Sequence, residues 1–349
     1  MLDWLTASLP FSALPEQVWQ HLSTIGDRIM RYCPRSNEVK WESPAWDSVR
    51  SDSHQIAFRV GSDAIHIQGS PCRVVGDGDA VFGPVDGLRP ADGLRAMVRH
   101  ACKVLSVILP LDPSLWRVSR MDCTVHLLFD DLPSVRVALA HLRNLEGGRY
   151  RVSQQAGDTV YWNHSSRRKA AKAYAKGPHL SYLMKKKDYT GRQYSDSEIA
   201  LANRLLRLEL RLGSQFWNEQ NKVSPWFEMS AADVDAAAWV HFDKLLGDAS
   251  VIHVSDLEAS LRSVTVNGES LTDGAVRSAL GLWGLIGSFG WERAREMTPR
   301  TTWYRNLKYL RLAGLSDLDI SSGRIVELRA ERLCCARRVT SWSELRAVA

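Results

Sequence analysis

The chain has 349 residues, 45% of them hydrophobic, and a formal net charge of +6. That length accommodates about two ordinary domains, and the composition excludes a wholly disordered or fibrous chain. Six cysteines (Cys33, Cys72, Cys102, Cys123, Cys334 and Cys335) make no CxxC pair. They read as free thiols of a reducing compartment rather than as a disulfide or zinc framework.

No Lys or Arg precedes Arg28, which argues against the charged start of a signal peptide. The longest apolar patch, ALGLWGLIGSFGW at 279–291, is shorter than the ~20 residues that a bilayer requires and is rich in glycine. A soluble, cytoplasmic protein without a membrane partner is expected.

In chain order, DWLTASLPF (3–11), HQIAFRV (54–60) and AIHIQG (64–69) have the pattern of strands, the last two joined as a hairpin by Gly61-Ser62-Asp63. LRPADGLRAMVRHACKVLSVIL (88–109) and LPSVRVALAHLRNLEGG (132–148) have helical apolar spacing, and WRVSRMDCTVHLLF (116–129) between them reads as a buried strand. RYRVSQQAGDTVYWN (149–163) suggests a hairpin turning near Ala156-Gly157-Asp158. LLRLELRLG (205–213) alternates apolar and charged residues like a strand. The sum is an α+β domain with a largely antiparallel sheet flanked by helices. The polar stretch NEQNKVSP (218–225) marks a boundary, which gives regions 1–220 and 221–349. The second is mostly helical, with MSAADVDAAAWVHFDKLL, DGAVRSALGLWGLIGSF, WERAREM and TPRTTWYRNLKYLRLAGL as its helices.

Charge is distributed unevenly. Arg167 to Arg192 holds nine basic residues and one acid, Asp188, a cluster whose usual partner is a polyanion such as nucleic acid. Arg167, Arg168 and Lys169 begin it. In RKAAKAYAKG, a strand puts Arg168, Lys172, Tyr174 and Lys176 on one face; a helix suits the alanines equally, with Gly177-Pro178 ending either. Tyr174 could attack a phosphate held by these cations, its phenolate favoured by lysines and a metal, or it could stack on a base.

On strands, period two puts His66 and Gln68 on one face and Asp122, Thr124 and His126 on another. A buried acid such as Asp122 requires a cation or an ion pair. Glu209 poses the same question, with Arg207 and Arg211 at equal spacing as its other explanation. Two strand-borne carboxylates and a histidine are the oxygen-rich set that Mg²⁺ or Mn²⁺ prefers, and His66 with Gln68 could share such an ion. In the 299–313 helix, Arg300, Tyr304, Arg305, Lys308 and Arg311 accompany an apolar stripe of Trp303, Leu307 and Leu310. That pattern suits a helix in a DNA groove or an ordinary amphipathic surface helix.

Eight collinear pieces, among them MLDWLTASLPF, IHIQGSPCRVV, VSRMDCT, TVYWNHSSRRKAAKAYAKGPHL, LLRLELRL and MTPRTTWYRNLKYLRLAGL, resemble the replication-initiation proteins of filamentous bacteriophages, the gene II protein family. HIQG is also similar to the metal motif of the Rep proteins of small circular-DNA viruses. The resemblance implies a Rep nuclease-like first domain (1–220) and a helical DNA-recognition domain (221–349). It implies a metal-dependent nicking and joining enzyme that starts rolling-circle replication at the plus-strand origin through a 5′-phosphotyrosine. Tyr174 matches the family nucleophile, Lys176 its neighbouring lysine, and Asp122 and Glu209 the acidic positions. Tyr161 is a weaker match, and Tyr182, Tyr189 and Tyr194 follow with unassigned roles.

Origin DNA, single- and double-stranded, is the implied partner, with host helicase and DNA polymerase, and an oligomer at the origin is compatible. A non-catalytic DNA-binding repressor is the competing reading. A tyrosine recombinase is disfavoured because it needs no metal and carries its tyrosine near the C-terminus. No GxxxxGKS phosphate loop is present.

Overall fold

The computed structural model describes the chain except residues 26–27, 52–53, 144–151, 153–156, 188, 190, 222, 247–253, 267, 316, 324–336 and 349. No helix among the described residues is long and apolar enough to cross a membrane.

Residues 2–212 supply ten strands among the described residues: β1 (Leu2–Pro10), β2 (Arg28–Tyr32), β3 (Val39–Pro44), β4 (Asp47–Ser51), β5 (His54–Val60), β6 (Ala64–Gly69), β7 (Arg117–Leu128), β8 (Thr159–Trp162), β9 (Lys169–Ala175) and β10 (Leu205–Leu212). Eight of them form one sheet in the order β4-β5-β6-β1-β7-β10-β9-β8, while β2 and β3 make a separate hairpin. Every named pair is antiparallel. The expected α+β architecture with an antiparallel sheet is therefore present.

Alternation in the sequence gives the sheet two unlike faces. Met121, Cys123, Val125 and Leu127 of β7 and Leu206, Leu208, Leu210 and Leu212 of β10 are buried in one apolar core. The helices of this part are α1 (Glu16–Ser23), α2 (Pro71–Val75), α3 (Pro90–Leu105), α4 (Leu132–Arg143), α5 (Lys176–Met184), α6 (Asp196–Ala202), α7 (Ser214–Gln220) and α8 (Ala231–Leu246); α3, α4, α7 and α8 contribute Leu94, Met97, Val135, Leu139, Trp217, Val234 and Phe242 to the core. The opposite face carries Arg120, Asp122, Thr124 and His126 of β7, and Arg207, Glu209 and Arg211 of β10. The register pairs Arg207 with His126, Glu209 with Thr124 and Arg211 with Asp122.

Two expectations differ in detail from the structure. The helix expected over 88–109 ends at Leu105, because Ser106 turns into the left-handed region at φ 53°. The end of the helix expected over 132–148 and most of the first arm of the hairpin expected over 149–163 lie outside the described residues. Gly177-Pro178 ends neither element: β9 stops at Ala175, and α5 (Lys176–Met184) begins at once with both residues in its first turn. Proline is tolerated there because its missing N–H would have no helical acceptor. Gly177 is required because a Cβ would collide with Asn203.

A second core lies in the C-terminal helices. Leu257 and Leu261 of α9 (Val254–Ser263), Val276 and Ile286 of α10 (Asp273–Phe289), Ala294 of α11 (Trp291–Met297), and Trp303, Leu307 and Leu310 of α12 (Arg300–Leu312) build it. Gly290, at φ 79°, makes the tight link between α10 and α11. The two cores do not divide at residue 220, since α8 buries Val234, Ala238, Phe242 and Leu245 in the first. The chain also returns: Arg337–Arg338 pairs with the end of β7. Val339 and Leu345 then pack with Phe82, Leu180, Tyr194 and Leu205. Cys334 and Cys335 lie outside the described residues; Cys72 and Cys123 are buried free thiols.

Candidate active site

The polar face concentrates charge that the fold has to neutralise. Asp122 is 1% exposed and accepts from Arg120 Nε at 2.9 Å and Nη2 at 2.5 Å. Glu209 meets Lys172 Nζ, its register partner on β9, at 2.6 Å. Arg207, fully buried, pairs with Asp3 at 2.5 Å and donates to the carbonyls of Ala80 and Val81. Asp3 sits where the β1–β7 register shifts between Leu2 and Trp4. Charges this deep are tolerated because each has a partner. Glu209 therefore uses Lys172 rather than its neighbours in sequence: Arg207 Nε is 3.9 Å away, and Arg211 donates to the His164 carbonyl.

Burial also sets protonation. Burial raises the pKa of Asp122 to about 6 against the hydrogen bond from Arg120, with Glu209 adding to the rise. Burial opposes the charge of Lys172, but Glu209 more than compensates and its pKa is raised. Asp3 is held below the ordinary carboxylate range by Arg207 despite burial. Lys176 is the opposite case: burial first, then Arg207, pushes its pKa well down. It is 1% exposed and favours the neutral amine. His179, driven to about 3 by burial and Lys176, is neutral as well.

A cavity of about 180 Å³ opens over this face, lined by Asp122, Glu209, Lys172, Arg120, Arg211 and the pair Tyr161 and His164, whose rings meet edge-on at 5.4 Å. Tyr161 lies opposite Lys172 in the β8–β9 register. Tyr174, two residues along β9 from Lys172 on the same face, pairs with Arg207. It is 5% exposed, with His179 edge-on at 4.9 Å and the ammonium ends of Lys172 and Lys176 at 5.1 and 5.8 Å from its ring. Burial raises its pKa, with Arg207 and Lys172 pulling the other way. A larger cavity of about 330 Å³ lies between Met1, α8 and the returning chain at Arg338–Thr340. It contains neither carboxylate of the pair.

Asp122, Glu209, Lys172 and Tyr174 thus come together on one face, and Lys176 approaches the Tyr174 ring from the start of α5. His66 and Gln68 do not join. Through β1, Gln68 is level with Arg120 and His66 with Arg117, two strand spacings or roughly 10 Å to the side. Arg167 and Arg168, just before β9, and Lys169, its first residue, are exposed, and Arg168 pairs with Glu219 at 2.8 Å. Arg300, Tyr304, Arg305, Lys308 and Arg311 form the exposed side of α12, on the second core. Asp3, Arg120, His164 and His179 were not singled out by sequence. Only Arg120 had a local signal, being two residues before Asp122 on the same strand face.

The donors suit a hard divalent cation. Asp122 and Glu209 offer carboxylate oxygens to one cavity, and Glu209 Oε2 is buried without a hydrogen-bond donor. Among the described residues no group of three or more His, Cys, Asp and Glu gathers. Mg²⁺ commonly manages with one or two carboxylates, completing its shell with water and substrate phosphate.

Comparison with known proteins gives three results. No curated protein matches the chain. Among solved structures, the rolling circle replication initiator protein from Geobacillus stearothermophilus is 12% identical, with 94% of this chain and 98% of that chain covered at a TM-score of 0.30. So loose an overlay carries no residue correspondence. The Phage CRI family, described as the N-terminal part of a replication-associated protein, matches residues 1–236, which hold strands β1 and β4 to β10 of the main sheet and both carboxylates, and the chain belongs to that family.

Proposed function

We propose that the protein is an initiator of rolling-circle replication that nicks one strand of origin DNA and rejoins it. The observation that carries this reading is the polar sheet face. Two strand-borne carboxylates, a lysine held cationic and a tyrosine flanked by amines share a face beside an open cavity in a replication-associated fold.

In this reading Asp122 and Glu209 hold a divalent cation. When bound, the ion supplies Lewis-acid polarisation of the scissile phosphate. Lys172 holds its charge because Glu209 stabilises it, and it neutralises a non-bridging phosphate oxygen. Tyr174 is the nucleophile: its phenolic oxygen bonds to phosphorus, and the P–O3′ bond breaks. The products are a 5′-phosphotyrosine and a 3′ oxygen that takes up a proton as a hydroxyl. The depressed pKa of Lys176 fits an amine that accepts the phenolic proton. The 3′-hydroxyl attacking the phosphotyrosine reverses the step and reseals the strand, so no external energy source is needed.

A specific observation supports a second tyrosine. Tyr161 is half-exposed and lines the cavity directly with both carboxylates, whereas Tyr174 is buried and is not among the lining residues. The exposed basic side of α12 fits the origin-binding role, with host helicase and polymerase acting downstream.

The test is nicking of supercoiled origin plasmid. Mg²⁺ should support conversion to the open circle and EDTA should abolish it, whereas a repressor would bind equally in both and cut nothing. Tyr174→Phe should stop nicking while Tyr161→Phe retains it. The reverse pattern would assign the chemistry to Tyr161.

A further inference from the structure

The last described residues fold back onto the loop that serves Arg207. In TSWSEL (340–345), Ser341 caps a short helix (Trp342–Ala347) by accepting from the Glu344 amide at 3.2 Å, and the Glu344 carboxylate accepts in turn from the Thr340 amide at 2.7 Å. A serine followed three residues later by a glutamate is the signature of such a start. The cap places Trp342 in the first turn of the helix, and Val339 and Leu345 on either side of it are buried. The Trp342 ring meets Phe82 edge-on at 5.4 Å, and Phe82 meets His126 at 5.0 Å. Trp342 Nε1 donates to Asp79 Oδ2 at 2.6 Å.

Asp79, itself buried, organises the 79–81 turn. Its Oδ1 accepts from the Val81 amide and from the Tyr194 hydroxyl, each at 2.8 Å, and the same hydroxyl accepts from the Ala80 amide at 2.6 Å. Both amides of the turn are thus engaged, and the carbonyls of Ala80 and Val81 accept from Arg207 Nη1 at 3.1 and 3.3 Å. Arg207 lies opposite Tyr174 across β10 and β9. Burial raises the pKa of the Tyr174 phenol, and of the charges around it Arg207 does most to offset the rise. A continuous set of hydrogen bonds therefore runs from the indole of Trp342 to the guanidinium beside the tyrosine.

We propose that Trp342 is a positioning residue for the nicking reaction, acting through Asp79 and the carbonyls of the 79–81 turn to fix Arg207 beside Tyr174. The proposal rests on the reading of Tyr174 as the nucleophile. An indole N–H only donates and so suits a carboxylate, and a hydrogen bond to an ionised group is short and directional. As the phenol gives up its proton, negative charge gathers on its oxygen. A guanidinium already fixed nearby stabilises that charge without reorganising during the step. The segment that supplies Trp342 lies well past residue 236, where the family match ends. The catalytic unit therefore includes residues 339–345 as well as the sheet.

The test uses the full chain, Mg²⁺ and a single-stranded origin oligonucleotide. Trp342→Phe keeps an aromatic ring and removes the N–H. It should slow single-turnover formation of the covalent DNA complex roughly tenfold, the worth of one pKa unit in the nucleophile, while affinity for the same oligonucleotide, read by fluorescence anisotropy, stays unchanged. Asp79→Asn should slow the step at least as much. The double variant should lose no more than Asp79→Asn alone, because both substitutions cut one connection. In protein isotope-labelled at tyrosine Cζ, the NMR signal that Tyr174→Phe removes should shift in Trp342→Phe, while those of the exposed Tyr182 and Tyr304 stay in place. Melting curves confirm that each variant is folded. A wild-type rate, an unmoved Tyr174 signal, a loss carried by affinity instead of rate, or additive losses in the double variant would each overturn the proposal. If the wild type forms no covalent complex, the nucleophile reading falls and the Tyr174 signal alone decides: a shift upholds the connection from Trp342 to Arg207, and an unmoved signal overturns it.

Discussion

In the proposed mechanism Asp122 carries the pH sensitivity of the site. An acid whose pKa is raised to about 6 is protonated over a range where an ordinary carboxylate is ionised, and only the ionised form binds a cation. Mg²⁺-dependent nicking should therefore rise as pH increases through about 6 and be lost below it. Asp122→Asn should remove that inflection and slow the reaction more than about 100-fold, beyond the usual cost of losing an outer-shell partner. Initial rates from pH 5 to 8 check both, and a flat wild-type profile would contradict the assignment. The acids were legible in sequence because a charge amid alternating leucines demands a partner. Their partners were not: Lys172 and Asp3 reach Glu209 and Arg207 only through strand pairing. Nor could local pattern show that Tyr174 and Lys176 are buried, since a run of alanines and lysines fits either an exposed or an enclosed edge.

At the level of elements, alternation and turn residues placed β5 and β6 at their observed bounds, and heptad-like spacing located α12. Trp303, Leu307 and Leu310 enter the second core, leaving Arg305 and Lys308 exposed on a helix with no acid in 299–313. If this side contacts origin phosphates, Arg305→Glu and Lys308→Glu should each weaken duplex binding across sequences. Each should also lower the slope of log affinity against log salt by about one. Nicking of a short single-stranded substrate should be unaffected. Anisotropy at several salt concentrations decides, and an unchanged slope would remove α12 from the interface. Termini of elements were read less well where conformation departs from pattern, as at Ser106, or where one element passes directly into the next, as at Ala175–Lys176.

Across the whole molecule, two large apolar cores, a smaller cluster at the returning C-terminal segment and a polar sheet face organise the described residues. The sequence showed the change of texture near Ser230 but not where each helix is buried. α8 looks like its C-terminal neighbours, yet it completes the core beneath the sheet, and the final residues return to cap the His126 end of the polar face. Assignment to a core depends on contacts between distant segments, which periodicity does not encode. The same return contacts fix the loop that binds Arg207: Trp342 Nε1 and the Tyr194 hydroxyl both donate to Asp79, and Ala80 follows. The central claim is that Tyr174 joins covalently to DNA. Its most direct measurement is mass spectrometry of the nucleotide-bearing peptide after reaction with origin DNA and Mg²⁺. The account predicts an adduct at Tyr174 that disappears with EDTA. An adduct confined to any other residue, or none when the DNA is nicked, would contradict it.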